Sequence, residues 1–251
     1  MIQAAGKVPG LARALRWFAG RYKEGSVVTI GSGYAQGMKW KRMHVYVNGY
    51  WIGQYEFDVQ AAIARILGPG DGFIDLGANA GFFTLVGIKR VGPAGWVVSV
   101  DPDPFNCASL AAQIGLNELK NCVVLQQAVA DQAGTLKFAF AVGGDSTGHL
   151  ADAGNAAAMD VSATTLDAIC ETHGKPKLVK VDVEGAEVRV LRGAARTIES
   201  IRPTWLLELH SDDLGREVRR ILSGAGYRFT AISGETVPDS DLLPHHCIAL
   251  P

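Results

Sequence analysis

Acidic residues and one histidine stand at the ends of short apolar runs in this chain. Asp75 lies in Phe73-Ile-Asp-Leu, Asp101 closes Trp96-Val-Val-Ser-Val, Asp182 follows Leu178-Val-Lys-Val, and Glu208 and His210 close Trp205-Leu-Leu-Glu-Leu-His. The carboxyl ends of strands are where open α/β sheets collect their ligands. The stretch Asp75-Leu-Gly77-Ala78-Asn79-Ala-Gly81 reads as a strand, a tight turn and the start of a helix. Such a turn is expected to bring several backbone N–H groups and one carboxylate to the mouth of the sheet. Its glycines allow close approach, and the Asp75 carboxylate can hold an ammonium group directly or through water. Asp101, 26 residues later, can accept two hydrogen bonds from a ribose diol.

The spacing narrows the ligand. A dinucleotide turn wants G-x-G-x-x-G so that a pyrophosphate can rest on bare backbone, but the places after Gly77 hold Asn79 and Phe82. Pro102 and Pro104 stop the second strand and pre-set the helix that follows. The third run leads into Gln127, Ala128 and Val129, at the position expected to border a purine base.

Period-two geometry groups the remaining polar residues. Lys180 and Asp182 face the same way on one strand, as do Glu208 and His210 on the next. If the two strands are neighbours, Asp182, Glu208 and His210 meet. His210 or Asp182 is then the candidate base and Glu208 orients its partner. Lys180 reads as the buried counter-charge of an acid. Asp145, Ser146, Thr147 and His149, in a long segment before the fourth strand, could hydrogen-bond a polyol. His245 and His246 are expected on opposite faces of a terminal strand, and no metal site is expected there. A divalent cation on Asp182, Glu208 and His210 could lower a hydroxyl's pKa, but none is assigned.

The elements that must position these groups follow from the pattern. From Gly72 onward apolar strands alternate with helical segments near Gly81–Arg90, Pro104–Leu116, Gly185–Ile201 and Leu214–Ser223, which argues a parallel sheet covered on both faces. Tyr227–Ile232 and His246–Leu250 read as a closing antiparallel hairpin. Ahead of the break at Gly68-Pro69-Gly70, residues 1–68 form an expected extension: an amphipathic helix over Leu11–Tyr22, β-type runs near Ser26–Ile30 and His44–Ile52 with an Asn48-Gly49 turn, and a helix over Phe57–Leu67. Between those β-type runs the glycine-rich stretch GSGYAQGMKW is read as turns. Residues 69–251 form the ligand-binding domain. No strand is read in the stretch between Gln127 and Leu178.

Composition bounds the class. The chain has 251 residues, 48% of them hydrophobic, and a net charge of −1. Residues 1–45 hold eight Lys or Arg against Glu24 alone, so weak contact with an anionic membrane surface is weighed for them. No nucleic-acid partner is expected; a homo-oligomer is left open. Cys107, Cys122, Cys170 and Cys247 lack metal or disulfide spacing, and no apolar run is long enough to span a bilayer. A cytoplasmic protein is expected.

Taken together, Asp75-Leu-Gly-Ala-Asn-Ala-Gly81, the acid-proline step at Asp101, Thr165-Leu-Asp167, Lys180-Val-Asp-Val-Glu184-Gly-Ala-Glu187 and Leu191-x-Gly193 resemble the FkbM family of S-adenosylmethionine (SAM) methyltransferases. The likeness runs from about Val28 to Phe229 and includes the Gly53-Gln-Tyr55-Glu56 step. It departs at Asp101, where the family pattern usually has Glu. The resemblance implies a class I methyltransferase, Rossmann-like α/β fold with strand order 3-2-1-4-5-7-6. It implies SAM as cofactor, bordered by Tyr55, Glu56, Asp75, Gly77, Ala78, Asn79, Gly81, Asp101, Pro102, Gln127, Ala128 and Asp182, with Glu184 toward the acceptor. It further implies methyl transfer to a hydroxyl oxygen of a carbohydrate, glycolipid or secondary metabolite. Two other readings stay open: N-methylation of a small molecule or peptide, and a SAM-binding sensor or scaffold without catalysis.

Overall fold

The computed structural model describes residues 25–43, 50–139 and 158–251, together with the backbone of 149–150. The expected helix over Leu11–Tyr22, the Asn48-Gly49 turn, and Asp145, Ser146 and Thr147 lie outside those residues.

Seven strands form the main sheet: β3 (Gly72–Leu76), β4 (Trp96–Val100), β5 (Cys122–Leu125), β10 (Leu178–Val181), β11 (Thr204–Glu208), β12 (Arg228–Ala231) and β13 (His246–Leu250). Their order is β12-β13-β11-β10-β3-β4-β5. The five strands β5, β4, β3, β10 and β11 are parallel, and β13 pairs antiparallel with both β11 and β12. This is the 3-2-1-4-5-7-6 arrangement, with the terminal hairpin in place.

Both faces of the sheet are buried, and alternate residues of each strand serve different cores. Ile74, Val98, Val179, Val181, Trp205 and Leu207 join one cluster with Leu166, Val190 and Val218. Phe73, Val97, Leu178, Leu206 and Ile248 join the other with Ile63, Leu85 and Trp40. The first face carries α4 (Leu166–His173), α5 (Glu187–Arg192) and α6 (Asp212–Gly224); the second carries α1 (Phe57–Ile66) and α2 (Phe82–Val91). Helix starts follow local chemistry. Asp103 caps α3 (Pro104–Leu116) through the Phe105 N–H, Thr165 caps α4 through the Ala168 N–H, and Ser211 caps α6 through the Leu214 N–H.

Ahead of the sheet, β1 (Val27–Thr29) and β2 (Lys39–Lys41) pair antiparallel, so the end of the glycine-rich stretch is a strand. Two side-chain amides, one on α3 and one at its C-cap, hold β2 as a further strand would. Gln113 bonds the N–H and C=O of Lys41, and Asn117 those of Lys39, each at 2.8 Å.

The helix expected over Gly185–Ile201 is broken. Gly193 packs against the backbone of Ala130, where a Cβ would lie 2.1 Å from the carbonyl oxygen, and the chain continues as a π-helical turn, Thr197–Ile201. The stretch expected to lack strands holds a second sheet instead. It comprises β6 (Ala128–Val129), β7 (Gly134–Ala139), β8 (His149–Leu150) and β9 (Met159–Thr164), in the order β6-β9-β7-β8. Ala128, Phe138, Val161 and Ala163 make its small core.

Candidate active site

The loops after β3, β4, β5 and β10, with Glu208 at the end of β11, border a cavity of about 240 Å³. The turn after β3 is tight for a reason unrelated to any ligand. Gly77 has φ 73°, and a Cβ there would lie 1.7 Å from the carbonyl oxygen of Asp182, so only glycine lets the turn cross the end of β10. The expectation of open N–H groups fails. Gly77 and Ala78 donate to the Val100 carbonyl, Asn79 to Asp101 Oδ2, Ala80 to Asn79 Oδ1 and Gly81 to the Ala78 carbonyl. Every amide from Gly77 to Gly81 is thus used within the protein, and none is left for an anionic ligand.

Asp101, at the end of β4, is 5% exposed and borders the cavity. Burial raises its pKa to about 6 against the opposing hydrogen bonds from Asp103 N–H, Asn106 Nδ2 and Asn79 N–H. Those bonds fix the carboxylate's orientation while leaving acceptor capacity toward the cavity.

Asp75 is not where the sequence suggested. It is fully buried and does not border the cavity. Thr84 donates to its Oδ2 at 2.8 Å, and Oδ1 has no hydrogen bond but faces Lys180 Nζ at 3.6 Å. Lys180 in turn donates to Asp182 Oδ2 at 3.1 Å and lies 5.2 Å from the centre of the Phe83 ring. Burial works against its charge, but Asp182 and Asp75 hold its pKa above the usual value. The counter-charge reading of Lys180 matches this geometry; a direct contact between Asp75 and a ligand does not.

At the far end, Asp182, Glu208 and His210 come together, with two acids the sequence gave lesser roles. His210 Nδ1 is 2.6 Å from Glu187 Oε1, and its Nε2 is 3.2 Å from Glu184, 3.9 Å from Asp182 and 4.0 Å from Glu208. Glu184 reaches the ring from a left-handed backbone at φ 49°, and Glu187 is fully buried. Hydrogen bonds to Glu184 and Glu187 raise the His210 pKa to about 10. Burial raises Asp182. Burial also works to raise Glu208, but the hydrogen bond and charge of His246, with Lys180 and His245, bring it down to about 2.

Of the other expected residues, Tyr55, Pro102, Gln127, Ala128 and Glu184 border the cavity, whereas Glu56, Gly81 and His210 stand behind its wall. Burial, Tyr50 and Glu56 push the Tyr55 phenol well above its usual pKa, so it stays a donor. His149 lies on β8. Tyr50, Phe82, Phe83, Asn106 and Phe138 also line the space and were not singled out from sequence. Phe138 belongs to the unexpected second sheet, so nothing placed it here. Both His245 and His246 reach Glu208, which corrects their expected opposite orientation.

A family model, the methyltransferase FkbM domain, matches residues 75–229. The chain belongs to the FkbM methyltransferase family. As an FkbM-type protein it is a SAM-dependent methyltransferase. Methyltransferase sdnD of Sordaria araneosa is 28% identical over 206 residues, 68% of this chain and 79% of that protein. A solved FkbM methyltransferase from Methylobacillus flagellatus KT matches with a TM-score of 0.51 at 17% identity, over 72% of this chain. The match spans 43% of that protein, less than half its length. Aeropyrum pernix fibrillarin, solved with SAM natively bound, is more distant, with a TM-score of 0.43 at 13% identity over 75% of this chain and 72% of its own.

Proposed function

We propose that the protein transfers the SAM methyl group to a hydroxyl oxygen of a carbohydrate, glycolipid or secondary metabolite, with the acceptor entering at the acid and histidine end of the cavity. The charge of the cavity wall carries this reading. Among the described lining residues, Asp101, Asp103, Asp182, Glu184 and Glu208 are acids and Lys180 is the one cation. With the turn amides used internally, such a wall suits a ligand that brings positive charge and a diol, and disfavours phosphates.

The residues fit SAM on these grounds. Asp101 would accept from the ribose hydroxyls, Gln127, Ala128 and Val129 would border the adenine, and Asp182 would face the ammonium group. When bound, SAM supplies a methyl already activated on a sulfonium sulfur, so the chain has to align the acceptor and remove its proton. Asp182 is the base in this reading: it borders the cavity, and its raised pKa makes it a better proton acceptor than an ordinary carboxylate. His210, held protonated by Glu184 and Glu187, is a positioning cation rather than the base considered from sequence. Glu208 binds protons too weakly for the task. Four free thiols suit the reducing cytoplasm.

Labelled SAM and fractionated cell extract, followed by mass spectrometry, test the acceptor. Label on oxygen supports the reading, and label on nitrogen overturns it. Asp182→Asn should weaken SAM binding by calorimetry, since it also faces the ammonium group, and at saturating SAM should still lose at least ~10-fold in turnover, the lower end for a general base. Unchanged turnover would remove Asp182 from that role.

A further inference from the structure

Glu208 borders the cavity, and each of its oxygens also faces a histidine. Its Oε1 lies 3.1 Å from His245 Nε2 and its Oε2 lies 3.1 Å from His246 Nε2. His246 Nε2 also stands 4.0 Å from Glu56 Oε2. We infer that Glu208, His245 and His246 form a binding site for one divalent ion of the zinc or manganese class, with Glu56 within reach as a fourth ligand.

Three observations carry this. The first is geometric. One ligand atom from each of the three residues can be chosen so that all lie within 4.8 Å of one another. Donors bound to one ion at about 2.1 Å in tetrahedral or octahedral array are about 3.0–3.4 Å apart; each histidine already keeps that spacing to its own oxygen of Glu208, and the set of three must draw in from within 4.8 Å. The second is the tautomer of His245. Its Nδ1 is 2.7 Å from the Leu209 carbonyl, which can only accept, so Nδ1 carries the hydrogen. With Nδ1 so engaged, Nε2 is the ring atom left to bind an ion, and it already stands 3.1 Å from a carboxylate oxygen of Glu208. A backbone carbonyl that fixes the far nitrogen is the usual support of a metal-bound imidazole. The third is rigidity. Glu208 and His246 are direct cross-strand partners of β11 and β13, and the Leu209 N–H bonds the His245 carbonyl at 2.8 Å. The ligands therefore sit on the sheet rather than on a loose loop.

Charge and access agree. Glu56, Asp182, Glu184, Glu187 and Glu208 stand around Lys180 and the three histidines, so a divalent ion would enter a region rich in carboxylates. The His245 side chain is 59% exposed, which leaves a path from solvent. Imidazole with carboxylate favours zinc, manganese or iron over calcium. The other triad in reach, Asp182, Glu208 and His210, is looser, with His210 Nε2 3.9 Å and 4.0 Å from the two acids and nearer to Glu184.

The test is direct binding to the full chain. After chelator treatment and dialysis, the protein is titrated with Zn²⁺ by calorimetry and with Mn²⁺ by electron paramagnetic resonance. One ion per chain is expected, weakened at least ~10-fold in H245A and in E208Q, as loss of a ligand should exceed loss of its support. His245 is exposed enough that H245A should fold, and matching circular dichroism and thermal unfolding confirm it. No binding at millimolar ion, or equal binding by wild type and H245A, overturns the site. The latter results would mean that the histidines are protonated partners of Glu208 only. The readout uses no methyl acceptor, so it stands or falls apart from the proposed reaction.

Discussion

Replacing Lys180 with methionine should test how the centre of the site is held. The ammonium lies 3.6 Å from Asp75 Oδ1 and 3.1 Å from Asp182 Oδ2, and its side chain is 4% exposed. Asp75 Oδ1 has no hydrogen bond to fall back on. Methionine fills the space of the alkyl stem, so the loss is chiefly electrostatic, and removing one partner of a buried pair costs about 3–5 kcal/mol. In urea unfolding at neutral pH, Lys180→Met should lose about that much. The double variant Lys180→Met with Asp75→Asn should recover part of it, because the fully buried orphaned charge is gone and the Thr84 bond can persist, while Asp182 still lacks its partner. Asp75→Asn alone should keep SAM affinity within a few-fold by calorimetry, since Asp75 does not border the cavity. The reasoning fails if Lys180→Met costs less than ~1 kcal/mol, the range of an exposed pair. It also fails if the double variant is no more stable than the single one.

Two further outcomes follow from the same geometry. His210 is raised from 6.5 to about 10, so its ion pairs contribute stability that is fully present below pH 6.5 and lost as pH rises through about 10. Discounted for its partly exposed ring, that contribution is about 2 kcal/mol, and Glu187→Gln should shrink the difference in urea midpoint between pH 6 and pH 10 relative to wild type. An unchanged difference would detach His210 from Glu187. Asp101→Ala should weaken SAM binding by about 1.5–3 kcal/mol, because it removes an acceptor for the diol and frees the Asn79 N–H and Asn106; near-normal affinity would place the ribose elsewhere.

The main sheet was legible because each of its strands is a short apolar run, and several end in an acid whose polarity marks the sheet's edge. What the sequence could not convey was register. Asp75 and Lys180 are direct partners across β3 and β10, so the lysine turns the acid inward and away from the ligand. The second sheet escaped notice because Met159-Asp-Val-Ser-Ala-Thr alternates weakly and its core rests on small residues around Phe138. The histidine pair was misread because alternation was applied to both residues. The strand begins at His246, and His245 precedes it, so the rule of opposite faces does not govern them. Glu187 was visible within its motif, but its role depends on a turn at Glu184 and Gly185 that bends the chain back beneath His210.

Gly77 touches the carbonyl of Asp182, so the loop expected to carry the donor and the strand end that carries Asp182 meet backbone to backbone. Their separation is therefore a constant of the scaffold, independent of the side chains around the acceptor. An engineer could change Glu184, at the acid and histidine end of the cavity, to alter which acceptor enters without retuning that separation.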